Sequence, residues 1–312
     1  MEKDMDIADN LQALEASLEE QLDIAVEYGV KLSLLTTFRV GGPVDLLVIP
    51  KTEAALVEAV SLIHKHALPL QMLGRGSNIL ASDRGLRGAL LLIADNLSDI
   101  EIKGNILRAS AGTPLFQISA AAARMSLSGA EFMSGIPGTV GGALCMNAGA
   151  YESCMADIVI SAELISPEGR VRELSNEELL FSYRHSYLSE NPAVVKSVNF
   201  ELKPENQRLI YQKLADIQGR RRASQPLEQA SAGSSFKRPE GAYAAKLIAD
   251  AGLKGYRKGQ CGVSAKHSGF IVNYGDASSE DLLAMFREVR KVVYEYSGIR
   301  LEPEVKFLGE RD

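Results

Sequence analysis

The stretch Gly135-Ile136-Pro137-Gly138-Thr139-Val140-Gly141-Gly142-Ala143-Leu144-Cys145-Met146-Asn147-Ala148-Gly149-Ala150-Tyr151 contains almost nothing that builds an ordinary amphipathic element. Its glycines, at 135, 138, 141, 142 and 149, let the backbone take positive φ and approach another surface with no Cβ in the way. Bare N–H groups at close range are what a phosphate requires. One or two glycines would signify tight turns with close strand packing. Five in so short a run, with Asn147 among them, point to a nucleotide-binding loop.

Upstream, Leu70 to Leu73 reads as a strand running into Gly74-Arg75-Gly76-Ser77-Asn78. That loop is not a dinucleotide fingerprint. Ile79 stands where the third glycine belongs, and Gly85 to Ile93 reads as another strand where the fingerprint needs a helix. With no Gly-Lys dipeptide in the chain, a P-loop is excluded as well.

The remaining elements alternate. Leu11, Leu14, Leu18, Leu22 and Ala25 have helical spacing and predict an amphipathic helix over residues 8 to 28. Val44 to Ile49 predicts a strand, and Thr52 caps a helix carrying Leu56, Val60 and Ile63, so a βαβ unit leads to the first glycine loop. Ile100 to Ile106 predicts a hairpin turning at Gly104-Asn105. Thr113-Pro114 opens an Ala-rich helix with proline at its first position. Beyond the long glycine stretch, Ile158 to Ile165 and Val171 to Leu174 predict strands, and Ser175 with Glu178 a capping box for a short helix ahead of Tyr183-Arg184. Val194 to Leu202 is a strand, and Lys203-Pro204-Glu205-Asn206 is the best boundary. Then follow a helix running into Arg220-Arg221-Arg222, an aperiodic loop from Ala230 to Pro239, and a strong helix from Ser279 to Tyr296 that Gly298 ends.

A chain of 312 residues exceeds the ~100 to 200 residues of one domain, so two or three are expected. A net charge of −6 disfavours a general nucleic-acid binder. Cys145, Cys154 and Cys261 form no CxxC pair, which fits neither a disulfide framework nor a zinc site. The acidic N-terminus is unlike a signal peptide, and no apolar run reaches the ~18 residues of a membrane span. A cytoplasmic protein with no membrane partner is expected. His64 and His66 lie on a helix without ligand partners, so no metal is assigned.

Taken in order, Thr36-Thr37-Phe38-Arg39-Val40-Gly41-Gly42, Gly74-Arg75-Gly76-Ser77-Asn78, Ile136-Pro137-Gly138-Thr139-Val140-Gly141-Gly142, Asn147-Ala148-Gly149-Ala150-Tyr151, Tyr183-Arg184, Gly233-Ser234-Ser235-Phe236-Lys237 and Glu302-Pro303-Glu304-Val305 closely resemble the UDP-N-acetylenolpyruvoylglucosamine reductase family, in its shorter type II form. The resemblance spans residues 30 to 309. It implies an α+β fold: a PCMH-type FAD-binding domain of two α/β subdomains over residues 31 to 204, divided near 100, and a C-terminal α/β substrate domain over 205 to 312. An N-terminal helical extension, residues 1 to 30, lies outside it.

The implied cofactors are FAD and NADPH. FAD would be held by Arg39, Gly74, Arg75, Gly76, Ser77, Asn78, Gly135, Ile136, Pro137, Gly138, Thr139, Gly141, Gly142, Asn147 and Gly149. Related oxidases that tether FAD covalently carry a His in the first loop; Ser77 and Asn78 stand here, so binding is expected to be non-covalent. The implied substrate is a sugar nucleotide, UDP-N-acetylglucosamine enolpyruvate, and a monomer is expected. Two positions depart from the family: Glu152 replaces a common Gly after Tyr151, and Arg238 a common Asn.

The family reaction adds hydride to an enol ether and needs a cation for the enolate, a proton donor and water exclusion. By resemblance Arg184 is the cation, Ser234 the donor and Glu304 the assisting carboxylate. Taken singly, each has an ordinary alternative: an arginine at a helix end, a turn serine, and the solvent face of an edge strand. Ser235 is chemically equal to Ser234, and only the register Gly-Ser-x-Phe separates them. Lys237 and Arg222, with neighbouring Arg220, are candidates for the UDP diphosphate, and His267 for a substrate contact. Cys145 reads as an apolar filler. Another PCMH-type flavin oxidoreductase, or a nucleotide-binding protein without catalysis, would not need Arg184, Ser234 and Glu304 together.

Overall fold

A computed structural model describes residues 2–310. The chain forms two compact units, each discontinuous in sequence. The first comprises the N-terminal segment through Tyr28, Leu46–Arg75 and Gly88–Arg220. The second comprises Gly29–Asp45, Gly76–Arg87 and the chain from Arg221 on.

The first unit holds two sheets, which are the two α/β subdomains. One runs in the spatial order Ile24–Tyr28, Val44–Pro50, Leu86–Leu92, Gln71–Leu73. Helix Glu53–Lys65 makes the βαβ crossover from Val44–Pro50 to Gln71–Leu73, and Leu86–Leu92 fills the place between them. Thr52 caps that helix as expected, its hydroxyl accepting from Ala55 N at 3.1 Å. The other sheet is antiparallel throughout: Val171–Ser175, Val159–Ile165, Val194–Glu201, Ile106–Ser110, Ile100–Lys103. Its hairpin turns at Gly104 with φ +63, the primed geometry that matches strand twist.

The two subdomains are tied by a network of four charges. Arg108 donates to Glu53 at 2.6 Å and to Glu163 at 3.1 Å, while Lys196 reaches Glu163 at 3.0 Å. Ser110 and Ser197 bond the same two carboxylates at 2.6 and 2.7 Å. Burial works against the Glu163 charge, but Ser197, Lys196 and Arg108 outweigh it and pull its pKa down to about 2.

In the second unit Arg257–Lys258, Cys261–Val263 and Ile271–Asn273 form a sheet, packed by helices Ala244–Asp250 and Ser279–Ser297. Ser278 and Asp281 close a capping box at the start of the long helix, and Gly298, at φ +70, ends it. Phe38, Val40 and Leu80 are buried in the same core as Phe236, Ile271 and Val289. Strand Ile79–Ala81 also pairs in parallel with Lys306–Leu308. These long-range contacts draw residues 29–45 and 76–87 into the second unit. No boundary signal near residue 204 marks them.

Three local expectations change. The N-terminal helix is Glu2–Glu19, with Leu14 and Leu18 buried, but Leu22 is 94% exposed and Ala25 lies in the strand paired with Val44–Pro50. Sheet pairing there overrides an apparent helical period. Pro114 is the N-cap of helix Leu115–Arg124, in extended backbone at ψ 135, and not its first residue. Ser175 and Glu178 exchange their capping-box bonds, at 2.9 and 3.3 Å, around a single turn that does not continue as helix. A cap without an apolar face to bury propagates nothing.

Candidate active site

In the first unit the long glycine stretch is clamped to residues 111–115. Gly141 N donates to Ala111 O at 2.7 Å, Val140 N to Thr113 O at 2.9 Å, and Leu115 N to Gly138 O at 3.1 Å. Against expectation the stretch contains a short helix, Val140–Cys145. Thr139 caps it, its hydroxyl accepting from Gly142 N at 3.3 Å. Gly74 meets it from the other subdomain: a Cβ there would stand 2.7 Å from Thr139 Oγ1. The two glycine loops thus converge in a cradle that side chains would fill, which suits a cofactor held through backbone amides. Cys145 faces inward, and burial pushes its thiol up to about 11.

The end of this stretch accounts for the departure at residue 152. Gly149–Ala150 pairs with Ser153–Cys154, and the two residues between them, Tyr151 and Glu152, have φ +54 and +68. A two-residue hairpin loop with both φ positive is the type I′ geometry, where glycine is favoured at the second position. Glu152 is therefore a strained substitute for glycine. Tyr151 is held from one side by Arg220, whose guanidinium carbon lies 4.6 Å from the ring centroid.

Arg184 sits in another two-residue turn, of a different type. Ser182 and His185 exchange backbone bonds at 3.1 and 3.2 Å, leaving Tyr183-Arg184 as a two-residue loop with Arg184 at φ +55. A non-glycine residue held at positive φ carries strain of the kind that clusters at functional sites. Three bonds stitch this turn to the glycine stretch. Asn147 Nδ2 donates to Ser182 O at 2.9 Å, Ser186 Oγ to Cys145 O at 3.0 Å, and Arg184 Nη2 to Gly149 O at 3.4 Å. Asn147 is buried, at φ +40, and its carbonyl accepts from Ala156 N at 3.0 Å, so both ends of its amide are engaged within the protein. Arg75 also has a protein partner, Asp95, at 2.9 Å.

Ser234 and Glu304 both lie in the second unit. Segment 235–237 runs antiparallel to 302–304: Glu304 N donates to Ser235 O at 3.0 Å, Lys237 N to Glu302 O at 2.8 Å, and Phe236 bridges Pro303. The arrangement separates the two serines. Ser235 is fully buried and its Oγ accepts from Ile271 N at 2.8 Å, whereas Ser234, following Gly233 at φ +73, is exposed. Asn78 joins the same group, donating from Nδ2 to Glu304 O at 3.2 Å and accepting from Lys306 N at 2.9 Å. Gly76 is required here: at φ +61 a Cβ would lie 2.1 Å from Leu35 O. Thr37, part of the first motif but assigned no role from the sequence, links this turn to the Ser234 loop by donating to Ser231 O at 2.6 Å. Arg39 is exposed at φ +58 on the same segment.

Of the remaining substrate candidates, Lys237 pairs with Glu302 at 2.5 Å, and Arg222 is exposed at the end of helix Gln207–Ser224. His267 closes its own turn: Nδ1 accepts from Gly269 N at 3.1 Å and the ring sits edge-on to Phe270. Burial pushes its pKa down, so the imidazole is neutral near pH 7. Arg238, at the second departure, stacks on Tyr243.

Two sequence families match the chain: the FAD binding domain over residues 44–175, and the UDP-N-acetylenolpyruvoylglucosamine reductase C-terminal domain over residues 225–308. The chain is 45% identical over 288 residues to the UDP-N-acetylenolpyruvoylglucosamine reductase of Clostridioides difficile, covering 92% of this chain and 94% of that one. It is 43% identical to that of Lachnoclostridium phytofermentans, covering 90% and 92%. A crystal structure of the reductase from Thermus caldophilus superposes with a TM-score of 0.79 at 36% identity, over 91% of this chain and 99% of that one. With its glycine cradle, its strained arginine turn and relatives matched over nearly their whole length, the chain belongs to the UDP-N-acetylenolpyruvoylglucosamine reductase family.

Proposed function

We propose that the protein reduces UDP-N-acetylglucosamine enolpyruvate to UDP-N-acetylmuramate, with NADPH as reductant and non-covalent FAD as carrier, in the supply of peptidoglycan precursors. The observation that carries this reading is the pairing of 235–237 with 302–304, which sets Glu304 opposite Ser235, the neighbour of exposed Ser234, in a chain 45% identical to a reductase of that name. FAD, when bound, supplies the hydride to the terminal carbon of the enolpyruvyl group.

The chain's own residues do the rest. The cradle around Gly74, Gly138, Thr139 and Gly142 holds the cofactor through its backbone. The Arg184 guanidinium binds the substrate carboxylate and stabilises the negative charge that develops there. Ser234 Oγ–H gives its proton to the carbon beside that carboxylate, and Glu304 orients the donor and returns a proton to it. Arg222 and Lys237 supply positive charge for the UDP diphosphate, and His267 shapes the loop beside them. Two domains share the work, one for FAD and one for the sugar nucleotide. The protein acts as a cytoplasmic monomer without nucleic acid; a net charge of −6 disfavours a nucleic-acid partner.

The test is NADPH oxidation by the purified yellow protein with and without the enolpyruvyl sugar nucleotide. Oxidation that depends on this substrate supports the proposal. Oxidation indifferent to it points to another flavin oxidoreductase, and a colourless protein that takes up no FAD removes the flavin chemistry altogether.

A further inference from the structure

Among the described residues three buried side-chain polar atoms have no hydrogen-bond partner: Ser134 Oγ, Gln225 Oε1 and Gln229 Oε1. The glutamine oxygens exchange places with their amide nitrogens on a simple flip, so their lack of a partner depends on how the amide is assigned. A hydroxyl offers no such exchange. It rotates to whatever donor or acceptor surrounds it, and the Ser134 hydroxyl finds neither.

Ser134 lies in the 3-10 turn Glu131–Gly135, directly before Gly135-Ile136-Pro137-Gly138. The turn is rigid on its inner side, where Phe132 and Met133 are buried, and Ile136 N donates back to Met133 O at 3.0 Å. Beside these bonds the buried hydroxyl has no hydrogen-bond partner within the protein. Buried hydroxyls in folded proteins are almost always satisfied, and one that is not destabilises the fold unless its partner comes from outside the chain. The loop that Ser134 enters is the wall of the cradle formed by Gly138, Thr139 and Gly74.

We propose that Ser134 is a cofactor-binding residue whose hydroxyl hydrogen-bonds a polar atom of bound FAD and contributes nothing to the stability of the protein alone. The proposal rests on the flavin reading of the glycine cradle. It extends that site by a side chain, where the neighbouring contacts are backbone.

The test compares the full-length wild type with Ser134→Ala, each stripped of flavin and titrated with FAD by fluorescence quenching, and each melted with and without FAD. Loss of one hydrogen bond predicts FAD binding weakened about tenfold in Ser134→Ala. Without FAD, the melting temperature of the variant should equal or exceed that of the wild type, because an unpaired buried hydroxyl has been removed. FAD affinity equal to wild type, or an equal loss of stability with and without FAD, overturns the proposal. Should the alanine protein fail to fold, Ser134→Cys keeps the volume with a poor hydrogen-bonding group; wild-type FAD affinity in that variant overturns the proposal equally. A wild-type protein that binds no FAD would instead remove the flavin reading beneath it.

Discussion

The side-chain amide of Asn147 donates to the backbone carbonyl of Ser182 at 2.9 Å, joining the glycine stretch to the residue that opens the Arg184 turn. Asn147 itself is buried, and the other end of the same amide accepts from Ala156 N. Asn147 therefore fixes the residue that opens the Arg184 turn. Asn147→Asp puts a carboxylate against a carbonyl. It should lower stability by about 1–3 kcal/mol, the penalty for an unmade buried hydrogen bond. In the portion that remains folded, kcat for substrate reduction should fall while NADPH-dependent flavin reduction persists. Denaturant titration and stopped-flow flavin bleaching measure the two effects; a variant with normal kcat would uncouple the turn from the reaction.

The two adjacent serines should fail in different ways. Ser235→Ala leaves Ile271 N–H buried without its acceptor and should lose about 1–3 kcal/mol of stability, read from urea unfolding. Ser234→Ala removes an exposed hydroxyl and should leave stability unchanged. Substrate reduction should nonetheless drop by about 10² to 10⁴, with hydride transfer from NADPH to FAD intact. The opposite pattern would exchange the roles of the two serines.

Glu152 occupies the second position of a turn whose two central residues have φ +54 and +68. An L-residue pays roughly 1 kcal/mol for that conformation, and glycine none. Glu152→Gly should raise unfolding free energy by about 1 kcal/mol or less, since glycine also has more unfolded-state entropy to lose. A destabilised glycine variant would show that the Glu152 side chain makes a stabilising contribution of its own.

Acid stability should depend on Glu163. Its pKa in the folded protein is about 2 against an ordinary 4.5, so the folded state binds fewer protons than the unfolded chain between those values. Its contribution is fully present above pH 4.5 and is lost as the pH falls toward about 2. Glu163→Gln should be less stable than wild type at pH 7, and the gap between the two should narrow from pH 4.5 downward. A gap independent of pH would mean that the stabilisation comes from packing and not from charge.

Much was legible locally. The Thr52 cap, the Gly104 hairpin and the Gly298 stop depend on residues a few positions apart, so short-range rules read them correctly. The helix expected over residues 8 to 28 stops at Glu19, for the complementary reason. Ala25 obeys a helical period, but its partner Ile49 is supplied by a distant strand, and the hydrogen bonds of that pairing decide its conformation.

By itself the sequence determined the alternating elements, the glycine loops and the order of motifs that marks the family, because each of these is written in residue type and short spacing. Only the tertiary structure decided which unit residues 29–45 and 76–87 join, since Phe38 and Leu80 reveal their core only when it is assembled. It alone decided that Ser235 is buried under Ile271 while Ser234 faces out, a distinction between identical side chains that no local rule contains. And it decided that Arg184 occupies a strained turn fastened to Asn147, because a positive φ at an arginine is tolerated only where surrounding hydrogen bonds over-determine it.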